Sequence, residues 1–248
     1  MRRVSEGIML SSTKCGDGKM VVNVYTREEG KRGFLVRLPS SSAGKGRMKA
    51  SFFFPLSQIE ATFSEPRQGQ DLAYLNDVKV VYAYREMYTD IRKSSVACFL
   101  AEVMGRCILQ SEQDIRFYDT VATALRQFDA RHQDIADFHL FFLLSMAESL
   151  GFYPQEAGHF TDIYFDMREG RFVSTPPAYE DFLAPEVACD LSLLLQVRRR
   201  IRNAFPEITL FDSRRRQALL MALAAYCRIQ TGIAGNFRSL DILREVFQ

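Results

Sequence analysis

The sequence predicts an α+β protein in two domains: an N-terminal five-stranded β-barrel followed by an all-α helical domain. Two observations carry this. Up to Tyr82, short runs of alternating apolar and polar residues are separated by Gly- and Ser-rich turns, and from Ile91 onward the apolar residues recur at helical spacing. Charge divides at the same place. Residues 1–82 hold 13 Lys and Arg against 8 Asp and Glu, in a chain of net charge +2, so the remainder is acidic. A basic head on an acidic body points to an anionic partner for the head.

Glu6 to Ser12 reads as the first strand. Gly16-Asp-Gly18 then supplies the positive-φ positions of a tight hairpin. In Met20 to Thr26, Val22, Val24 and Thr26 alternate with Val21, Asn23 and Tyr25, the pattern of a half-buried strand. Arg27 to Gly30 turns into a third strand, Gly33 to Leu38, with Phe34, Val36 and Leu38 on one side. After a Ser/Gly/Lys loop, Met48 to Phe63 reads as a longer bent strand. Pro55 interrupts it, removing a ladder donor and marking an edge or bulge. Val78 to Tyr82 is the last strand. Five short strands of this kind fit a barrel of the OB type.

Beyond the barrel, Val96, Phe99, Leu100, Val103, Met104, Cys107 and Ile108 lie on one face of a helix. Asp114 starts a second, with Phe117, Val121, Leu125 and Phe128 on its face, and Asp134 is placed to cap a third over Ile135 to Leu150. Gly151 ends that helix and Pro154 blocks its continuation. Residues 155–179, with Gly158, Gly170, Pro176 and Pro177, read as irregular. Glu186 to Phe205 and Asp212 to Thr231 read as helices, the latter stopped by Gly232, and Ser239 caps a short helix to Phe247. The expected domains are 1–84 and 85–248, with an irregular insert near 152–180.

The five cysteines, at 15, 98, 107, 189 and 227, are odd in number and lack Cys-x-x-Cys spacing, which argues against both a disulfide framework and a zinc knuckle. The N-terminus lacks the apolar core of a signal peptide, and the run Phe138 to Met146 is too short to span a bilayer. The expectation is a soluble cytoplasmic protein with no membrane contact.

The candidate polyanion-binding residues are Arg2, Arg3, Lys14, Lys19, Arg27, Lys31, Arg32, Arg37, Lys45, Arg47 and Lys49. Cations on a barrel face track phosphates without reading sequence, and Lys45 to Lys49 sits in a Gly/Ser loop suited to moulding on a backbone. Tyr25, Phe34 and Phe52 to Phe54 are candidate base-stacking rings, although three consecutive phenylalanines must alternate in face, so some belong to the core. His132, Asp134, Asp137 and His139 resemble a metal-ligand set, but helical spacing turns Asp134 away from the two histidines. No Gly-x-Ser-x-Gly, Walker loop or His-Glu-x-x-His is present, so neither enzyme nor cofactor is expected.

Several pieces in order along the chain carry a resemblance. They are Gly7-Ile-Met-Leu-Ser11, Gly16-Asp-Gly-Lys19, Thr26-Arg-Glu-Glu-Gly30, the basic loop before Pro55-Leu56, Leu150-Gly-Phe-Tyr-Pro154 and Phe237-Arg-Ser-Leu240. Together they resemble the bacterial RecO family. The resemblance implies a non-enzymatic recombination mediator, associated with the nucleoid in the cytoplasm. Such a protein binds single- and double-stranded DNA, anneals complementary strands, and works with RecR and single-strand-binding protein (SSB) to load the strand-exchange recombinase. It also implies a place for the acidic SSB tail, for which Arg198, Arg199, Arg202, Arg214 and Arg215 are the candidates. Many family members carry a four-cysteine zinc site after Gly-Phe-Tyr-Pro, but residues 157–172 contain no cysteine. The expectation is therefore no metal, with Phe160, Ile163, Tyr164, Phe165 and Phe172 holding the insert. Two other readings stay open: a scaffold that binds only proteins, and a metal-dependent nuclease built on the His/Asp set.

Overall fold

The computed structural model describes residues 2–16, 18–37, 50–66, 72–109, 113–201 and 205–247. The chain forms two compact units, Met1–Asp90 with Ala97–Asp129, and Ile91–Val96 with Ala130–Gln248. The barrel's unit therefore runs past residue 84, taking in most of the first helix and nearly all of the second.

In the first unit, β1 (Arg2–Lys14), β2 (Lys19–Thr26), β3 (Gly30–Arg37), β4 (Gln58–Ser64) and β5 (Ala73–Tyr82) close into a barrel in the order β1-β2-β3-β5-β4. All neighbours are antiparallel except β3 and β5. One row of ladder partners, Arg2, Ser64, Tyr74, Leu35, Val21 and Thr13, circles the barrel and returns to β1 eleven residues from its start. Such a stagger is what lets tilted strands close. The inward set, including Met20, Val22, Val24, Phe34, Val36, Ile59, Ala61 and Phe63, is buried. Each large side chain removed from water contributes roughly 1.5–3 kcal/mol. Gly16 and Gly18 have φ of 68° and 67°, and Cys15 N donates to the Lys19 carbonyl at 3.0 Å, closing the β1–β2 turn.

The fourth strand differs from expectation. Ala50–Phe53 is a 3-10 turn, and β4 begins only at Gln58. The chain joins the barrel through Leu56, whose N–H reaches the Met9 carbonyl at 2.7 Å from a left-handed conformation (φ 61°). A strand running through Pro55 would have no proline N–H with which to make that ladder. β1 and β5 are each longer than the sequence suggests.

α1 (Ile91–Cys107) and α2 (Ile115–Ala130) follow. Asp114 caps α2, accepting from Phe117 N at 2.9 Å. Phe117 and Tyr118 cover Tyr25, with ring centroids at 5.9 and 6.2 Å. Gln58 Nε2 donates to the Ala122 carbonyl at 2.8 Å.

The second unit holds α3 (Phe138–Ser149), β6 (Tyr164–Asp166), β7 (Arg171–Val173), β8 (Phe182–Leu183), α4 (Pro185–Ile201), α5 (Ser213–Thr231) and α6 (Ser239–Val246). Phe138 to Ala147 are all buried, so α3 is a central helix without a solvent face. Asp134 does not cap it. Asp134 sits at φ 53°, accepting from the Thr209 hydroxyl at 2.9 Å, and α3 starts three residues later, after Asp137. Asp212 does cap α5, accepting from Arg215 N, and Gly232 closes it at φ 67°. Ser239 is the first residue of α6 rather than its cap; Arg238 stands there, with no side-chain cap bond.

The insert is more regular than its glycines and prolines suggest. β7-β6-β8 form a small antiparallel sheet. Phe165 packs on Phe172 and Tyr226, at 5.0 and 5.4 Å. Asp166, largely buried, accepts from Arg168 N, Glu169 N and the Tyr179 hydroxyl. Phe160 and Ile163 play no part in that packing: Phe160 is 96% exposed and Ile163 46%.

Candidate nucleic-acid interface

Eight of the eleven barrel cations lie among the described residues; Lys45, Arg47 and Lys49 lie outside them. The eight separate by what they touch.

Four are engaged. Arg27 holds Asp119 of α2 through two bonds, at 2.8 and 3.0 Å. The hydrogen bond from Arg27 keeps the Asp119 carboxyl below its usual range. Arg32 and Arg3 share Glu29 and Glu65. Glu29 bonds both guanidinium groups, Glu65 lies 3.1 Å from Arg32 and 2.9 Å from Arg3, and both cations lie over the Phe63 ring. Hydrogen bonds from Arg32, then Arg3, hold the Glu65 carboxyl low. Two guanidinium groups and two carboxylates leave this cluster neutral, so it offers a polyanion no net attraction. Lys31 donates to the Gly105 carbonyl at 2.8 Å.

The other four are exposed and form no ion pair among the described residues. Lys19 stands opposite Arg37 across the β2–β3 ladder, Lys14 opposite Met20, and Arg2 opposite Ser64. The alternation of β2 turns Met20, Val22 and Val24 inward, so Lys19, Val21 and Asn23 face out beside Gly33, Leu35 and Arg37. α2 covers only the Tyr25 end of this face, and at the other end Lys19 and Arg37 are exposed among the described residues. Arg37 continues into a cleft of about 520 Å³ that also includes Ser64, Glu65, Tyr74 and Asn76, and its guanidinium lies 5.9 Å from the Tyr74 ring. In an OB barrel the strand 2–3 face is the surface that takes oligonucleotides. A second cleft, of about 580 Å³, includes Glu6, Glu28, Glu60 and Asp119 against Arg27 and Arg126, a charge balance that repels a polyanion.

Among the expected stacking rings, Tyr25, Phe34 and Phe53 are core residues, 1%, 0% and 4% exposed. Phe52 packs partly against the core, and Phe54 alone of the set is open. Sequence reasoning missed the carboxylates that neutralise three of the eight described cations, Arg3, Arg27 and Arg32. Glu29 is signalled by its nearness to Arg27 and Arg32, but Glu65 and Asp119 meet their arginines only through barrel closure and the packing of α2.

In the helical set, Arg198 is buried, bonded to Ser145 at 2.9 Å and near Glu148. Arg215 grips Asp190 with its guanidinium beside the Phe211 ring, and Arg199 meets Glu156 at 3.0 Å. Arg214 is exposed with no ion pair among the described residues, and Arg202 lies outside them. The His/Asp set does not converge. Asp137 is fully buried, accepting from Leu210 N, Phe211 N and Arg216 Nε. His139 is buried with neither ring nitrogen hydrogen-bonded among the described residues. No three His, Cys, Asp or Glu among the described residues are grouped to hold a metal ion. No helix among them is long and apolar enough to cross a membrane.

A closed OB-type barrel with an open cationic strand 2–3 face, followed by a helical region, defines the class. The family models for "Recombination protein O N terminal" and "Recombination protein O C terminal" match residues 1–84 and 88–159. "DNA repair protein RecO" of Phocaeicola vulgatus is 31% identical over 247 residues, covering all of both chains. Proteins of the same description from Porphyromonas gingivalis, 29% identical over 98% of each chain, and Flavobacterium johnsoniae, 28% identical over all of each, are similar along their whole length. The chain belongs to the RecO family of DNA repair and recombination proteins.

Proposed function

We propose that the protein is a non-enzymatic DNA-binding and strand-annealing factor that helps load the strand-exchange recombinase onto SSB-coated single strands. The observation that carries this reading is the Lys19–Arg37 pair: two like charges set opposite each other on the half of the barrel face that α2 leaves uncovered. Like charges directly opposed across a ladder weaken the fold, and a phosphate between them reverses the sign. Lys14 and Arg2 extend the cationic surface, and Lys45, Arg47 and Lys49 belong to the same function by sequence. Contacts of this type neutralise phosphates and read no bases, so binding is indifferent to sequence. One strand held by its backbone keeps its bases free for a complement, while the cations screen repulsion from the second strand.

RecR and the acidic tail of SSB are the proposed protein partners. For the tail, Arg214 is the cation of the helical set open to solvent without an ion pair among the described residues. Binding of labelled single- and double-stranded DNA at low salt, with an annealing assay alongside, tests the proposal. Binding of both with faster annealing supports it. No binding at low salt leaves the protein a scaffold acting only through its partners.

A further inference from the structure

One surface feature of the barrel's unit is not used by the phosphate face. Phe54, Tyr88, Tyr84 and Tyr82 form a row, each ring against the next, with centroids 5.1, 5.7 and 5.3 Å apart, and the Arg126 guanidinium lies 5.3 Å from the Tyr82 ring at its end. The inner two rings are fastened. Tyr84 donates its hydroxyl to the Leu56 carbonyl and Tyr88 donates to the Pro55 carbonyl, each at 3.0 Å. The segment that bears them is fixed by Asp129, whose carboxylate accepts from Arg85 N, Glu86 N and Met87 N at 2.7–2.9 Å. Arg126 is held by Gln58 at 2.8 Å. The end rings are not so used: Phe54 is 47% exposed and Tyr82 is half-buried, with the exposed Arg85 close by in sequence.

We infer that this row is a stacking track for unpaired bases, a second nucleic-acid subsite apart from the Lys19–Arg37 face, in which Phe54 and Tyr82 supply the contact faces. This rests on the DNA-binding reading above and deepens it. The chemistry selects a base rather than an apolar peptide. Every base has a π-face, aromatic rings have few rotatable bonds to freeze on stacking, and the Arg126 guanidinium beside the Tyr82 ring adds cation–π attraction. Phe54 also follows the basic Lys45–Lys49 segment by five residues, counted from Lys49. A duplex, whose bases are stacked and paired, has nothing to offer the track.

The experiment compares three probes of equal length: oligo-dT, an abasic single strand with the same phosphates, and a duplex. They are titrated against the wild-type protein and against the Phe54→Ala, Tyr82→Ala, double and Tyr82→Phe variants. Tyrosine emission is read in parallel, since the chain has ten Tyr and no Trp. The inference predicts that the wild-type protein prefers oligo-dT to the abasic strand and that its emission is quenched by oligo-dT alone. Each alanine change lowers oligo-dT affinity about fivefold or more, with abasic and duplex binding unchanged and Tyr82→Phe retaining the preference. Equal affinity for oligo-dT and abasic strand, or equal loss on all three probes, overturns the track while leaving the phosphate face standing. No binding of any probe at low salt overturns both.

Discussion

Lys19 of β2 lies directly opposite Arg37 of β3, and neither forms an ion pair among the described residues. Elsewhere on the barrel, Arg3, Arg27 and Arg32 all found carboxylates. A like-charge pair across a ladder is a small cost to folding and an asset to an anion site. The double variant Lys19→Ala/Arg37→Ala is therefore expected to move two quantities in opposite directions. DNA binding weakens equally for all sequences and the salt slope flattens by up to about 2 units. Fold stability holds or rises by a few tenths of a kcal/mol. Filter binding and urea unfolding of the same preparation check both.

The engaged arginines supply the contrast. Arg27→Ala removes a cation bonded to Asp119, so DNA affinity is expected to change less than twofold while the α2–barrel contact loosens slightly, by about 0–1 kcal/mol for a surface pair. A loss of affinity as large as that from Lys19→Ala would show that Asp119 releases Arg27 to the phosphate.

His139 gives the fold a pH dependence. Burial, with the nearby Arg216 charge, pushes its pKa down to about 3, whereas in the unfolded chain it is about 6.5. Below pH 6.5 the unfolded chain takes up a proton that the native protein refuses. Stability contributed by the neutral imidazole is thus intact above 6.5 and lost towards pH 3, at up to about 1.4 kcal/mol per unit. His139→Leu is expected to flatten this slope. At neutral pH it stabilises by about 1 kcal/mol, since it removes two ring nitrogens that lack partners among the described residues. Urea midpoints from pH 7.5 to 4.5 measure both.

Asp137 and Arg216 pair in the interior of the second unit, at 2.7 Å. Asp137→Ala leaves a buried guanidinium uncompensated and frees Leu210 N and Phe211 N, so a loss of about 3–5 kcal/mol is expected. Replacing both partners with apolar residues recovers the part due to the stranded charge, which equilibrium unfolding of the two variants separates.

Much of the architecture was legible in the sequence because it rests on local signals. The alternation of Val21 to Thr26, the two glycines at 16 and 18, the Asp212 cap and the Gly232 stop are read within a few residues and stand in the structure. Asp134 failed as a cap because the neighbouring chain through Thr209 captured it, which no local pattern reveals. The proposed polyanion surface draws on both kinds of signal. Composition located the basic head, but which cations remain open depends on Glu65 and Asp119, reached through long-range closure. The tyrosine row was overlooked because Val81-Tyr-Ala-Tyr alternates like the tail of a strand, and only the anchoring by Asp129 turns it into a surface.

The basic loop adds its own increment. Lys45→Ala, Arg47→Ala and Lys49→Ala combined are expected to weaken binding to every sequence and flatten the salt slope by up to about 3 units; unchanged binding removes the loop from the site.

The central claim, that open cations of the barrel hold DNA by its phosphates, is tested most directly by the affinity of the intact protein for DNA across a salt series. With about five phosphates neutralised, the predicted slope on duplex DNA is about −4.5, a fall of about 500-fold between 50 and 200 mM salt, the same for unrelated sequences. A flat dependence, or affinity that follows sequence, would contradict the account.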